Sequence, residues 1–199
     1  MNSALIPLVL LWSGWCFLHS LFITAGVQRW VKKRGGVWQG GYRLLYIILS
    51  TSTLVPVLWY TASVPQEPLG PFPLWVQMLR FVLLLYALLL FVGGMRSYNM
   101  QDFLGLRQWR DYRQNRSVKP PSLYTGGILS YVRHPWYSGG VALLWGLPGI
   151  TDVTLVTRLL LSGYLILGAF LEERKMVAQI GEEYLDYCRR TPMFFPWRW

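Results

Sequence analysis

The sequence predicts an all-α integral membrane protein with about five transmembrane helices, of which the last two form a C-terminal helical hairpin. Of the 199 residues, 53% are hydrophobic and only 14% are charged, a much smaller charged share than soluble domains carry. Apolar runs of the length that crosses a bilayer recur along the chain. The basic residues cluster beside these runs in alternate connecting segments, which is the pattern of the positive-inside rule. We therefore expect a single membrane domain over residues 1–199.

The N-terminal part, 1–97, is predicted to contain three membrane spans. About 20 apolar residues are needed to cross a bilayer, and three runs approach or reach this length: 4–23, 44–62 and 74–95. The Pro-rich segment 64–73 contains no Lys or Arg, whereas residues 29–43 contain five basic residues. Because basic loops stay on the cytoplasmic side, we expect the N-terminus and segment 64–73 to lie outside.

A basic segment, 98–137, follows the third span and is predicted to be cytosolic. Within it, Arg107, Arg110 and Arg113 recur at a spacing of three, which places them on one side of a helix. For most of these arginines we expect contact with solvent or lipid headgroups. One of them binding a carboxylate through a two-point contact is the alternative.

The C-terminal half is predicted to re-enter the membrane as a tight hairpin, 138–171. Its first apolar run, 138–150, is too short to span comfortably alone, and its second run covers 153–171. Pro148 and Gly149 supply the turn between them. The last segment, 172–199, is expected to return to the cytosol, with a charged helix followed by an aromatic interfacial anchor.

Composition also argues against several classes of function. A net charge of +10 suggests nucleic acid, but the basic residues border apolar runs, where anionic lipid headgroups are the nearer partner. We therefore predict the lipid bilayer as a partner and no nucleic acid. The two Cys are far apart in sequence, as are the two His, and the chain has no C-x-x-C motif, so no metal site is predicted.

Three polar groups converge on the predicted cytosolic face: the stretch YVRHPWYSGG (131–140), the pair Glu172–Glu173 and the pair Arg189–Arg190. Ionisable residues at the edge of a span are candidates for function. A purely structural role for these residues is also open. Acidic residues occur where helices leave a membrane, and His134 before Pro135 suits the start of a helix.

These residues carry a resemblance to the isoprenylcysteine carboxyl methyltransferase superfamily. Its signature is Arg-His-Pro-x-Tyr, two hydrophobic segments, Glu-Glu, Gly-x-x-Tyr-x-x-Tyr and a late Pro. The matching residues here are Arg133, His134, Pro135, Tyr137, Glu172, Glu173, Gly181, Tyr184, Tyr187 and Pro192. Further stretches, such as HSLFITAGVQRW, resemble the branch of bacterial methanethiol S-methyltransferases and membrane proteins linked to nitric oxide metabolism. The sequence departs from that branch at Ser138-Gly139 and at SYNM (97–100).

The resemblance implies that S-adenosylmethionine binds in a pocket facing the cytoplasm of a bacterial inner membrane. Its carboxylate would suit Arg133 or His134, its sulfonium would face Tyr137, and its ammonium would bind Glu173. A Gly-x-Gly-x-x-Gly motif is absent, which excludes a Rossmann cofactor site. The predicted cofactor-binding residues are Tyr124, Val132, Arg133, His134, Pro135, Tyr137, Gly140 and Glu173.

Methyl transfer is an in-line displacement, so catalysis would rest mainly on positioning. A thiol acceptor must first lose its proton, with Glu172 or Glu173 as the base and Arg189 or Arg190 stabilising the anion. The best-matching acceptor is a small thiol such as methanethiol. Carboxyl methylation of a prenylcysteine or other lipid-like acceptor is an alternative, and a non-enzymatic membrane protein that keeps the fold is another.

Overall fold

The computed structural model describes residues 4–116 and 123–197, and within these ranges the chain forms α-helices and no β-strand beyond one isolated bridge. The α-helices among these residues are α1 Leu5–Ile23, α2 Ala25–Lys32, α3 Val37–Ser63, α4 Leu74–Ser97, α5 Met100–Phe103, α6 Leu106–Arg113, α7 Pro135–Gly146, α8 Asp152–Ile180 and α9 Glu182–Arg190. A short 3₁₀ helix, Gly127–Ser130, precedes α7.

Four of the described helices are long and apolar enough to cross a membrane: α1, α3, α4 and α8. Many of their large apolar side chains point outward, including Phe17 and Trp59, which are 65% and 72% exposed. Outward apolar surface on this scale is costly in water and suits contact with lipid. The prediction of an all-α integral membrane protein is confirmed. The fifth predicted crossing corresponds to α7, which has only 12 residues.

The described chain divides into two compact units, and the first comprises residues 1–66 and 99–121. In this unit α1 packs on α3, and the indole Nε1 of Trp12 donates a hydrogen bond of 3.1 Å to Thr61 Oγ1. Helix α6 packs on α3 at Gly40, where a Cβ would overlap with the side chain of Tyr112. The helix predicted around Arg107–Arg113 is therefore present, and a glycine brings it close to α3.

The second unit comprises residues 67–98 and 122–199, and its central feature is α7 lying against α4. Small residues let the two helices approach closely. Gly94 on α4 leaves room for the indole of Trp136, and Gly146 on α7 faces Leu84. Gly139 likewise meets Ala87 and its neighbours.

Hydrogen bonds at one end of this unit fix the hairpin. The backbone N–H of Leu69 donates to the Ile150 carbonyl at 2.9 Å, and that of Asp152 donates to the Glu67 carbonyl at 3.1 Å. The segment before α4 therefore lies beside the turn between α7 and α8. The predicted C-terminal hairpin is confirmed, with α7 and α8 running in opposite directions.

Helix α8 is longer than the sequence indicates. Hydropathy ends the last span at residue 171, but the helix continues to Ile180, where Gly181 at φ 77° ends it. A positive φ favours glycine, which has no Cβ to clash. Glu172 and Glu173 therefore lie inside a regular helix of 29 residues, and their side chains have directions fixed by its geometry.

Candidate active site

The Arg-His-Pro motif is held between the start of α7 and the C-terminal segment. His134 is the residue before the first turn of α7 and Pro135 occupies that turn, where a missing N–H costs nothing. The backbone N–H groups of Arg133 and His134 donate to the carbonyls of Pro192 and Met193 at 3.0 and 3.1 Å. The late Pro of the motif, Pro192, is thus hydrogen-bonded through its carbonyl to the backbone of Arg133.

Arg133 forms a two-point ion pair with Glu173 of α8. Its Nε lies 2.7 Å from Oε1, and its Nη2 lies 2.9 Å from Oε2. Both side chains are largely buried, 9% and 18% exposed. Two parallel bonds of this kind fix the relative orientation of the two side chains as well as the distance between them. The Arg133–Glu173 pair therefore holds α8 in a defined position against the Arg-His-Pro motif.

Glu173 is also bonded by three further groups. His134 Nε2 lies 3.0 Å from Oε1, the Tyr184 hydroxyl donates to Oε1 at 3.2 Å, and Cys188 Sγ lies 3.8 Å from Oε2. A carboxylate offers about four lone-pair positions, and Arg133, His134, Tyr184 and Cys188 together make five contacts with it, three to Oε1 and two to Oε2. We call these five residues, Arg133, His134, Glu173, Tyr184 and Cys188, the Glu173 cluster.

The cluster extends to the backbone around α9. Arg133 Nη1 donates to the Cys188 carbonyl at 3.0 Å and to the Thr191 carbonyl. The hydroxyl of Tyr187, on the same helix, donates to the Leu129 carbonyl at 2.5 Å. Every nitrogen of the Arg133 guanidinium therefore has a partner, and the Glu173 cluster joins α8, α9 and the segment before α7.

Burial sets the protonation states on α9. Burial and the nearby Glu173 charge raise the pKa of Tyr184 above its ordinary value, and burial raises the pKa of Tyr187 to about 12 although Arg133 opposes the shift. The pKa of the Cys188 thiol is raised mainly by burial. All three groups are therefore protonated at neutral pH, and the hydroxyls act as hydrogen-bond donors.

Glu172 faces a different environment from Glu173. It is exposed, and Tyr137 lies close enough for its hydroxyl to interact with the Glu172 carboxylate. Tyr98, just after α4, has its pKa raised by burial and by the Glu172 charge. We call Tyr98, Tyr137 and Glu172 the Glu172 face; it presents an accessible carboxylate beside two aromatic rings.

The other predicted site residues take varied positions. Val132 and Pro135 are almost fully buried, and Tyr124 is exposed with its ring beside Gly126. Gly140 lies against Leu165 of α8. Contact between any of these residues and a cofactor stays a prediction.

Arg189 and Arg190 point away from Glu173. Arg189 pairs with Asp186 at 2.6 Å, and Arg190 Nε donates to the Asp186 carbonyl at 3.2 Å. Both arginines are exposed on α9. Their assignment as anion stabilisers stays a prediction, and the arginine that the structure brings to Glu173 is Arg133.

Three contributors were not singled out from the sequence. Tyr98 lies outside the motif, Cys188 enters the sequence analysis only as one of two widely spaced cysteines without a metal site, and Thr191 acts through its backbone carbonyl. Tyr98 directly follows the third span at the predicted cytosolic face, which was a usable signal. A backbone carbonyl that accepts a hydrogen bond cannot be recognised from the side chains in a sequence, because every residue has one.

Comparison with known proteins adds relatives but no solved structure, since none matches this chain. Methanethiol S-methyltransferase 1 of Bradyrhizobium diazoefficiens is 32% identical over 100 residues, 50% of this chain and 35% of that protein. Methanethiol S-methyltransferase 2 of the same organism is 26% identical over 201 residues, 98% of this chain and 74% of the relative. Nurim of Bos taurus is 29% identical over 190 residues, 88% of this chain and 70% of that protein.

The family model described as NnrU protein matches residues 7–193. This range includes the four long apolar helices almost completely and every member of the Glu173 cluster and the Glu172 face. The match is therefore not confined to the motif around Arg133. The chain belongs to the NnrU protein family.

Proposed function

We propose that the chain is an S-adenosylmethionine-dependent membrane methyltransferase that transfers a methyl group to a small thiol such as methanethiol. The observation that carries the proposal is the meeting of the Arg-His-Pro motif with the Glu-Glu pair, forty residues apart in sequence, through the Arg133–Glu173 ion pair. Relatives named methanethiol S-methyltransferase align with nearly the whole chain, which supports the choice of reaction and acceptor.

The Glu172 face fits the cationic part of the cofactor. When bound, S-adenosylmethionine supplies a methyl group carried on a positively charged sulfur. Tyrosine rings attract such cations, and Tyr98 and Tyr137 lie beside the negative charge of Glu172. An electron-rich face of this kind holds a sulfonium without a metal or a phosphate-binding loop.

Glu172 is the better candidate for the base that takes the thiol proton. Its carboxylate is exposed, and the Tyr137 hydroxyl lies beside it. The lone pairs of Glu173 are occupied by Arg133, His134 and Tyr184. We therefore assign Glu173 the task of positioning: it holds α8 so that Glu172, the next residue, faces the reacting atoms.

Arg133 and His134 act with Glu173 in this assignment. Because the Arg133 guanidinium also binds the carbonyls of Cys188 and Thr191, it holds α9 against the motif. Well-oriented reactants gain about 7–11 kcal/mol in an in-line displacement, so rigid placement of Glu172 and Tyr137 is the main contribution that these residues make.

The proposed setting is a bacterial inner membrane, with the N-terminus outside and the active site on the cytoplasmic side. Basic clusters at residues 29–43, 96–119 and 174–190 support this orientation through the positive-inside rule. The cofactor would enter from the cytosol, and a small apolar thiol would arrive through the bilayer.

The test uses the purified full chain in detergent with labelled S-adenosylmethionine and methanethiol. We expect saturable cofactor binding and formation of labelled dimethyl sulfide. Glu172→Gln should lower turnover about 100-fold or more, the usual loss when a general base is removed, while cofactor binding, which the Tyr98 and Tyr137 rings also support, should weaken by a smaller factor. Glu183→Gln, an exposed carboxylate on α9, is the matched control and should retain full activity.

Three results would contradict the proposal. Cofactor binding without transfer to any acceptor would favour a non-enzymatic protein. Methyl ester formation on farnesylcysteine, with methanethiol untouched, would replace the thiol by a carboxylate acceptor. Full activity of Glu172→Gln would remove Glu172 from the role of base.

A further inference from the structure

The first unit contains a cavity of about 440 Å³, a volume typical of small-ligand sites. It lies among the ends of α1 and α2, the start of α3, and α6. Its lining residues are Ile23, Gln28, Lys32, Gln39, Gly40, Tyr42, Arg43, Tyr46, Gln108, Tyr112 and Arg116. We call it the α2–α6 cavity; the proposed methyl transfer makes no use of it.

The lining of this cavity carries positive charge. Lys32, Arg43 and Arg116 line it, and no Asp or Glu is among the described lining residues. The two acidic residues of this unit, Asp102 and Asp111, both pair with Arg107, at 3.1 and 3.8 Å. Within the described chain, neither Lys32 nor Arg116 has a carboxylate within ion-pair distance. An anion is therefore the natural occupant.

Gln108 indicates that the ligand of this cavity carries a hydrogen-bond donor. Its Nε2 donates to the Asp102 carbonyl at 3.0 Å, and its side chain, which also carries the acceptor atom Oε1, is among those that line the cavity. That Oε1 is buried and has no hydrogen-bond partner among the described residues. A buried acceptor without a partner costs free energy, and a hydroxyl on the ligand would satisfy it.

Surrounding residues place the cavity at the level of lipid headgroups. Helix α2 has no buried residue, carries Arg29 and Lys32, and exposes Trp30 by 60%. Short helices with cations on one face and Trp on the other lie in the membrane interface. Ile23, at the end of the membrane-spanning α1, gives the cavity an apolar edge. An occupant with an anionic head and an apolar tail matches these surroundings.

We propose that the α2–α6 cavity binds the headgroup of an anionic phospholipid that carries a hydroxyl, the chemistry of phosphatidylglycerol. Lys32 and Arg116 contact the phosphate, and Gln108 Oε1 accepts a hydrogen bond from the headgroup hydroxyl. The acyl chains leave beside Ile23 along the outer surface of α1. This lipid would be a bound component of the first unit, independent of turnover.

The experiment measures lipid binding to the delipidated full chain by native mass spectrometry and by the shift in unfolding temperature. We expect phosphatidylglycerol to bind about tenfold or more tightly than phosphatidylcholine of the same acyl composition, the scale of one charge-assisted bond. Phosphatidylethanol, which has the same singly charged phosphodiester but lacks the headgroup hydroxyl, should bind more weakly than phosphatidylglycerol. Soluble glycerol phosphate should not compete at equal concentration.

Variants distinguish lipid binding in this cavity from a general attraction of anionic lipids to the basic surface. The double variant Lys32→Ala/Arg116→Ala should abolish the preference for phosphatidylglycerol. The control Lys33→Ala/Arg113→Ala removes the same charge from neighbouring exposed positions that do not line the cavity and should keep the preference. Gln108→Leu should remove the distinction between phosphatidylglycerol and phosphatidylethanol.

A filling variant, Gln39→Trp, keeps the charge and should block binding. Equal loss in the control double variant would overturn the proposal, as would tight competition by glycerol phosphate, which would make a soluble anion the ligand. Unchanged lipid preference in Gln39→Trp would place the lipid elsewhere.

Discussion

The Nε and Nη2 atoms of Arg133 bond the two oxygens of Glu173 at 2.7 and 2.9 Å, across forty residues of sequence. This pair connects the segment before α7 to a position on α8 that lies beyond the apolar span indicated by hydropathy. It is shielded from water on most sides. The arrangement of the proposed active site rests on this one link more than on any other.

Removing the charge of Glu173 should therefore destabilise the protein. In Glu173→Gln, the guanidinium of Arg133 stays buried without its carboxylate, and the loss of one partner from a buried pair costs about 3 kcal/mol or more. We expect a clear fall in the unfolding temperature in detergent. The exposed Glu183→Gln should unfold at the wild-type temperature; a difference of only a few tenths of a kcal/mol for Glu173→Gln would contradict the assigned role.

The close contact between α4 and α7 leads to a second prediction about stability. A methyl group at Gly94 would overlap with the indole of Trp136, and overpacking of this kind costs about 1–3 kcal/mol. Gly94→Ala should thus lower stability. The matched variant Gly163→Ala lies within α8, where a Cβ meets nothing within 4 Å. It should be neutral or gain about 0.5–1 kcal/mol from helix propensity, and chemical denaturation of both variants provides the comparison.

The Tyr187 hydroxyl should contribute to the stability of the fold through one hydrogen bond. In Tyr187→Phe the Leu129 carbonyl loses its 2.5 Å donor in a buried setting, and a buried group left without a partner costs about 1–3 kcal/mol. Tyr131→Phe removes the hydroxyl of an exposed tyrosine nearby and should change nothing measurable. Equal stability of the two variants would show that the Tyr187 bond adds nothing.

Cys188 should react slowly with alkylating reagents in the folded protein. Only the thiolate is nucleophilic, and burial raises the pKa of this thiol, so the thiolate fraction is smaller at every pH below that raised pKa. In a Cys16→Ala background, the pH at half-maximal alkylation rate should be higher for the folded than for the denatured chain. Mass spectrometry of alkylated protein gives the rates; coincident pH profiles would rule out the shift.

Much of the fold could be predicted because hydropathy reports directly on transfer into lipid. The runs 4–23, 44–62 and 74–95 correspond to helices α1, α3 and α4, and the hairpin follows from a short apolar run and a Pro-Gly turn. The continuation of α8 to Ile180 could not be predicted in this way. Beyond residue 171 the helix is stabilised by contacts such as Arg133–Glu173, which hydropathy does not register.

The candidate site was predicted in its membership better than in its roles. The motif correctly indicated that Arg133, His134 and Glu173 belong together. It did not show that the three bond one another, because a sequence motif gives identities and spacing but no directions. Side-chain directions on α8 separate Glu172 from Glu173, and only the three-dimensional arrangement shows which carboxylate is accessible.

Helix α7 rises only about 18 Å at 1.5 Å per residue, well short of a hydrocarbon core about 30 Å thick. It cannot adjust its tilt to match the bilayer, and its position is set by Gly94, Gly139 and Gly146 against α4. Hydrophobic mismatch is therefore taken up by the longer helices. On this basis we expect the depth of Arg133 relative to α4 to stay constant when lipid chain length changes, which would make the proposed active site independent of membrane thickness.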